Sequence, residues 1–332
     1  MMGDDMSSFQ HAFRFLWLWA LPCGCLALAI PIKNAASAQI PSPAAQPAVA
    51  GAATSRLFAD SKIKADPRFV VEVTGHGPDL IFISGLACSR EVWHQTADRL
   101  RKKYTLHLIQ TAGFGGEPAR DNANGPVLDP TMEAVDAYIV SNKLAPATVI
   151  GHSFGGTMAM RLAQQHPADV KKILMVDALP FFGVLVGGAH ATSDSMKAGA
   201  AAYQKELAAP PSDESRARSR TALAGMVTAP ANVDLALKWT TASDRNVVGQ
   251  AAYDDMTLDM RAGLQAMTTP VTLIYPYDAK RGIPLQAWDG LYHAEFEPLQ
   301  HKTLVRVDDS KHFIMYDQPE KFAAALDDFL QH

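Results

Sequence analysis

The sequence predicts an α/β protein built on a mostly parallel β-sheet covered by helices on both faces. Three observations carry this. Short β-rich runs alternate with stretches of helical periodicity. The β-rich runs are apolar almost throughout, as strands buried on both faces are. The composition is ordinary for a globular chain: of 332 residues, 48% are hydrophobic and 19% charged. That excludes disordered and collagen-like classes, and the length allows one large α/β domain or two small ones.

The first 38 residues stand apart. Phe13 to Ile30 is apolar except for Arg14, and Ala36-Ser37-Ala38 follows with the small-x-small spacing of a signal-peptidase site. Residues 1–38 are therefore read as a signal peptide, and the protein as exported, periplasmic or secreted. An uncleaved N-terminal membrane anchor is the alternative, although the apolar run is near the short end for a span. Lipidation at Cys23 or Cys25 fits less well, because Pro22 occupies a position where that signal wants a small or branched residue. After cleavage no stable membrane span is expected. Residues 39–55, QIPSPAAQPAVAGAATS, are uncharged and rich in Ala, Pro and Ser, the composition of a flexible linker. Past the signal, Cys88 is the one remaining cysteine, so no intramolecular disulfide can form. It reads as a small buried side chain.

The strand runs are RFVVEV near 68–73, DLIFIS at 79–84, TLHLIQ at 105–110, ATVIGH at 147–152, KILMVD at 172–177, VTLIYP at 271–276 and TLVRVD at 303–308. Helical stretches between and after them include EVWHQTADRLRKK, TMEAVDAYIVSNK, GTMAMRLAQQH and PEKFAAALDDFLQH. Between Asp177 and Val271 the rhythm breaks and only helix-like pieces occur. Residues 56–182 and 263–332 are thus expected to form the core in two parts, with 183–262 a helical insertion covering the carboxyl edge of the sheet, where open α/β folds bind ligands. Met196, Met226, Met256, Met260 and Met267 fall in or next to this insertion; helix packing is the expected role for most of them, an adaptable apolar pocket the other.

Formal net charge is −4 and the 30 basic residues form no long run, so no nucleic-acid partner is indicated. No His/Cys/Glu cluster suggests a metal, and no cofactor is called for. Chemistry concentrates instead at VIGHSFGG. A β-run leads into Gly151-His152-Ser153-Phe154-Gly155-Gly156, and a helical run follows. This is G-x-S-x-G in the strand–turn–helix context that exposes a nucleophile, here Ser153. Small neighbours let strand and helix approach, and the helix N-terminus favours developing negative charge.

Serine needs a base. His312 is the candidate, placed in a loop after a strand and before the final helix; its ordinary pKa suits the task. His152 should point away from Ser153, and His107 alternates within a strand. An acid must orient the base. Asp278, at the end of VTLIYPY, is preferred because the order Ser153, Asp278, His312 is the one such turns go with. Asp177, closing LMVD, is the rival. The oxyanion needs two aimed donors: the amide of Phe154 and, from the loop IFISGLACSREVW, the amide of Leu86, with Gly85 permitting close approach.

From about Arg68 to the end, the chain resembles the α/β-hydrolase superfamily in its lidded, esterase-like branch. FISGLACSREVWHQTADRL is similar to the family's H-G-x-x-x-s-x-x-W segment, GHSFGG to its nucleophile elbow, DMRAGLQAMTTPVTLIYPYD to the segment entering strand seven and ending at the acid, and KHFIMYDQPEKF to the tail around the catalytic His. The resemblance implies the α/β-hydrolase fold with a helical cap after strand 6, and acyl transfer through Ser153, His312 and Asp278. The substrate would be a small-molecule ester; a lactone, amide, thioester or C–C bond uses the same triad, and a non-catalytic ligand-binding protein is the reading of a different class. Phe181 and Phe182 are expected to line an apolar pocket. The chain departs from the pattern at Ser84, where the family usually has His, at Tyr275-Pro276-Tyr277, where Gly commonly precedes the acid's loop, and at Lys311, where Gly commonly precedes the His. Oligomeric state is not legible.

Overall fold

The structure is a computed structural model and describes residues 56–332; the signal-peptide and linker readings at 1–38 and 39–55 lie outside the described residues. Eight strands form one sheet: β1 Lys62–Ala65, β2 Phe69–Gly75, β3 Asp79–Ile83, β4 Thr105–Thr111, β5 Ala147–His152, β6 Val170–Val176, β7 Val271–Tyr277 and β8 Lys302–Asp308. Their order is β1-β2-β4-β3-β5-β6-β7-β8. β1 and β2 pair antiparallel to each other and β2 to β4; all other pairs are parallel.

Both faces of the sheet are covered, which explains the unbroken apolar runs. Along β3, Leu80 and Phe82 enter one buried layer with Trp93, Leu100, Phe322 and Leu326. Ile81 and Ile83 enter the other with Met132, Ile139, Met158 and Leu162. The first layer is closed by α1 His94–Leu100 and by α11 Pro319–Gln331, the second by α2 Leu128–Ser141 and α3 Phe154–Gln165. β1 was not foreseen. KIKA is short and mostly exposed, so it lacks the burial pattern that marks a strand, and its two lysines suit an open sheet edge.

Between β6 and β7 run five helices: α4 Gly183–Gly187, α5 Ser193–Ala208, α6 Asp213–Ala224, α7 Pro230–Ala242 and α8 Arg245–Thr257. Short-range polar contacts fix them to the core. Asp254 accepts from the amides of Val127 (2.7 Å) and Leu128 (3.1 Å), the start of α2. The indole of Trp239 donates to Glu91 (2.9 Å), and the Asp244 amide donates to Gly113 O (2.7 Å). Met196, Met256, Met260 and Met267 are buried in one core layer and Met226 packs against the other. α9 Leu285–Phe296 follows β7, and the short α10 Ile314–Asp317 precedes α11. Among the described residues no helix is long and apolar enough to cross a membrane.

One buried ionic cluster stands out. Arg90, in a turn just after β3, reaches Glu72 on β2 (2.8 Å) and Glu117 (3.2 Å), and all three side chains are almost wholly buried. Glu72 also accepts from the amides of Leu57 and Phe58 and from the Ser61 hydroxyl. The Arg90 amide and guanidinium both donate to Gln110.

Candidate active site

The parallel register brings four strand ends side by side. Ile83 pairs with Gly151, Gly151 with Met175, and Val176 with Ile274. The residues just past these ends form the site, at the carboxyl edge where ligands bind in open α/β sheets.

Ser153 sits at the junction of β5 and α3 with φ 54° and ψ −125°, a conformation unfavourable for a residue with a Cβ. The surroundings hold it there. Its amide donates to Val176 O (2.9 Å), and its carbonyl accepts from Gly156 (2.7 Å) and Thr157 (3.0 Å). A Cβ at Gly151 would collide with Gly155 O, and one at Gly155 with Ile83 O. The tight strand–helix crossing therefore requires glycine at both positions. The first amides of a helix have no partner within it, which puts the Phe154 N–H at the open end of α3.

The loop after β3 lies directly on this turn. A Cβ at Gly85 would stand 3.0 Å from His152 Nδ1 and 3.2 Å from Ser153 Cβ. Gly85 thus lets the loop that carries Leu86 lie against the Ser153 turn. Ala87 takes φ 55°, and Ser243 of the insertion donates to Ala87 O (3.3 Å). Ser84, which replaces the family's histidine, is buried and bonds Ile109 O through both its amide and its hydroxyl.

His312 lies in the loop after β8. Its Nδ1 is 2.6 Å from Asp177 Oδ2, so the Nδ1–H donates to the carboxylate and Nε2 is left as the basic nitrogen. His152 packs beneath it, ring centroids 4.6 Å apart. Burial, with the His312 charge second, lowers the His152 pKa well below the ordinary value. A neutral His152 therefore donates from Nε2 to His312 O (3.3 Å) and supports the loop.

The carboxylate beside His312 is Asp177, not Asp278 as the chain order suggests. Asp177 leaves β6 with φ 47° and its amide donates to Ile274 O (2.8 Å), which turns the side chain over the strand ends. Asp278 instead caps the turn that follows it, accepting from the Lys280 amide (3.0 Å). It faces a surface groove lined by Lys280, Arg281, Asp309 and Lys311. β7 stays paired with β8 through Tyr277, so Asp278 leaves its strand well beyond the Val176–Ile274 level at which Asp177 leaves.

Asp177 has a second donor that the sequence does not announce. Tyr292 on α9 donates to Oδ1 at 2.6 Å, so each carboxylate oxygen has its own donor. Burial, with the Asp177 charge second, holds the phenol far above its ordinary pKa, so it remains a donor. Its ring stacks on Tyr275 at 4.4 Å. Tyr292→Phe keeps the ring and removes the donor. It is expected to lower kcat about tenfold with KM nearly unchanged, the size of a hydrogen bond to a charged group; steady-state kinetics check this.

The two predicted pocket residues do not behave alike. Phe181 is fully buried, with the Arg261 guanidinium 4.7 Å above its ring. It packs at the root of the insertion. Phe182 is half-buried against the same core layer. Cys88 is buried, and burial pushes its thiol up to about 12, so it is no nucleophile.

The fold and the site define a hydrolase class. Residues 80–325 match the profile described as the alpha/beta hydrolase family, and the chain belongs to that family. Among individual relatives, it is 32% identical over 112 residues to a pimeloyl-[acyl-carrier protein] methyl ester esterase of Aeromonas salmonicida, a stretch that is 34% of this chain and 42% of that protein. The first relatives are thus matched over about two fifths of their length. The protein of the same name from Salmonella newport is 26% identical over 258 residues, 74% of this chain and 91% of that one. Of the solved structures, a hydrolase from Pseudomonas aeruginosa superposes with a TM-score of 0.64 at 18% identity, covering 82% of this chain and 99% of that one; this likeness is one of fold.

Proposed function

We propose that the protein is a serine hydrolase of small or medium carboxylic esters. The observation that carries this is the pairing of His312 with Asp177 (2.6 Å) at the same sheet edge as Ser153 and its strained turn. His312 removes the Ser153 proton, and Oγ attacks the ester carbonyl. Charge on the carbonyl oxygen is taken up by the Phe154 and Leu86 amides, each donor of this kind typically contributing about 3 kcal/mol at the transition state. The alcohol departs with the proton from His312, and water, activated by the same imidazole, frees the acid. Each step uses groups of this chain. The helical insertion acts as the cap over the site, and the apolar N-terminal segment directs export. The methyl ester named for the relatives supports the ester class.

Two measurements test the reading. A fluorophosphonate probe is expected to form one covalent adduct, mapped to Ser153 by mass spectrometry and absent from Ser153→Ala. A panel of p-nitrophenyl esters of rising acyl length, with lactones and anilides beside them, is expected to show turnover highest on an ester. No adduct and a background rate on every substrate would reject catalysis and leave a binding protein on a hydrolase scaffold.

A further inference from the structure

We infer that Lys311 and Asp317 are positioning residues that latch the loop carrying the base to the helical insertion, so that the seating of the turn between α6 and α7 sets the position of His312. This rests on the serine-hydrolase reading above.

The core reaches His312 at two points. Asp177 holds the ring at Nδ1 (2.6 Å), and His152 donates to the carbonyl (3.3 Å). The residues on either side of His312 are tied to the insertion instead. The Phe313 amide donates to Met226 O (3.1 Å). Lys311 Nζ donates to Ala224 O (2.7 Å), with Val227 O at 3.5 Å. Ala224 ends α6, and the last carbonyls of a helix have no partner within it. A lysine there supplies both a donor and a charge that suits the negative end of the helix.

Asp317, at the end of α10, closes the arrangement. Its Oδ1 accepts from the Thr228 amide (2.8 Å), and its Oδ2 from the Thr228 hydroxyl (3.0 Å) and the Lys311 amide (2.9 Å). One carboxylate thus joins the turn of the insertion to the residue before the base. Val227 and Phe313 are buried in the same core layer, so the two segments also share apolar support.

These bonds lie where small displacements matter. A base acts only within hydrogen-bond reach of the proton it takes, and a misplacement of about 1 Å can cost about 100-fold in rate. Lys311 and Phe313 are the chain neighbours of His312, so a displacement of the turn reaches the imidazole across one residue. Trp239 and Asp254 fix the insertion to Glu91 and to the start of α2, contacts that do not touch the base. Gly225, Thr228 and Lys311 line the surface groove beside Asp278, so substituting Thr228 or Lys311 removes donors at the surface and leaves the packed core as it is.

Lys311→Met and Thr228→Val each remove a donor and keep most of the side-chain bulk. The test is turnover of one p-nitrophenyl ester, with rates divided by the sites that a fluorophosphonate titrates, which removes any unfolded fraction. Lys311→Met is expected to lower kcat about tenfold and Thr228→Val somewhat less, with KM within about twofold of wild type. Lys311→Arg and Thr228→Ser keep the donors and are expected to restore most of the loss. Lys321→Met is the control, because Lys321 Nζ donates to Asp308 O (3.0 Å) within the core; its kcat is expected to be that of wild type. An unchanged kcat in both test variants, a raised KM with kcat kept, or an equal loss in Lys321→Met overturns the inference. Proton NMR reads the base without turnover. The low-field signal of the His312 Nδ1 proton, held by Asp177, is expected to shift or broaden in Lys311→Met and not in Lys321→Met; an identical signal in wild type and Lys311→Met overturns the latch even where kcat falls. Failure of ester hydrolysis itself would appear separately, as no turnover by wild type and no fluorophosphonate adduct, and the NMR comparison would still decide the latch.

Discussion

Asp177→Asn is expected to lower kcat for ester hydrolysis by about 10⁴-fold, the loss typical when a triad carboxylate becomes an amide, while Asp278→Asn stays within about twofold of wild type. The asymmetry follows from the hydrogen bonds. Asp177 accepts from His312 Nδ1 at 2.6 Å and fixes the tautomer in which Nε2 is basic. An asparagine there can present its amide N–H to the ring and favour the opposite tautomer, which has no base toward Ser153. Asp278 touches its own turn through the Lys280 amide, so its loss removes one exposed cap. Ser153→Ala is expected to cost more, about 10⁶-fold, because removing a nucleophile leaves only the oxyanion donors and binding. Steady-state kinetics on one p-nitrophenyl ester decide all three; an Asp278→Asn enzyme with a 10³-fold or larger loss would return the acid's role to the end of β7.

Arg90→Met is expected to destabilise the fold by about 3–5 kcal/mol, the usual consequence of stranding a buried charge. Here Glu72 and Glu117 lose the cation they share, leaving Glu117 with the more distant Arg120 (3.5 Å). Arg99→Met, which breaks a half-exposed pair with Asp327 (2.7 Å), is expected to change stability by less than about 1 kcal/mol. Urea unfolding of the two variants measures the contrast. Arg90 follows the Gly85–Leu86 loop by a few residues, so the weakened variant is also expected to lose part of its kcat at temperatures where it remains folded. Equal stability of the two variants would show that the buried cluster relaxes when its cation is removed.

Much of the fold was legible because its signals are local. The apolar runs, the helical periodicities and the strand-free interval after Asp177 each correspond to what the chain forms. β1 was missed because an exposed edge strand of four residues carries no burial pattern. The elbow was legible because the turn requires particular residues within a few positions: Ser153 can hold φ 54° only with glycine flanks that let β5, β3 and α3 crowd together. His312 was found from its loop between the last strand and the last helix.

The acid was not decidable in the same way. Two neighbouring parallel strands, in register at Val176 and Ile274, are each followed by an aspartate at the same edge of the sheet. The choice rests on a positive φ at Asp177 and on a turn that consumes the Asp278 carboxylate, which are properties of backbone paths and not of residue type. Phe181 shows the same limit from the other side: the Phe181-Phe182 pair with the insertion's methionines suggested an apolar pocket, and only the structure shows Phe181 fully buried with Arg261 over its ring.

The amino-acid sequence by itself determined the layered sheet, the tight turn at Ser153 and the loop that carries His312, because turn chemistry and hydrophobic period act over a few residues. Only the tertiary structure decided the partners that arrive from far along the chain: Asp177, 135 residues before His312, and Tyr292, 115 residues after Asp177. Each depends on which segments the packed core sets side by side, and no local rule encodes that.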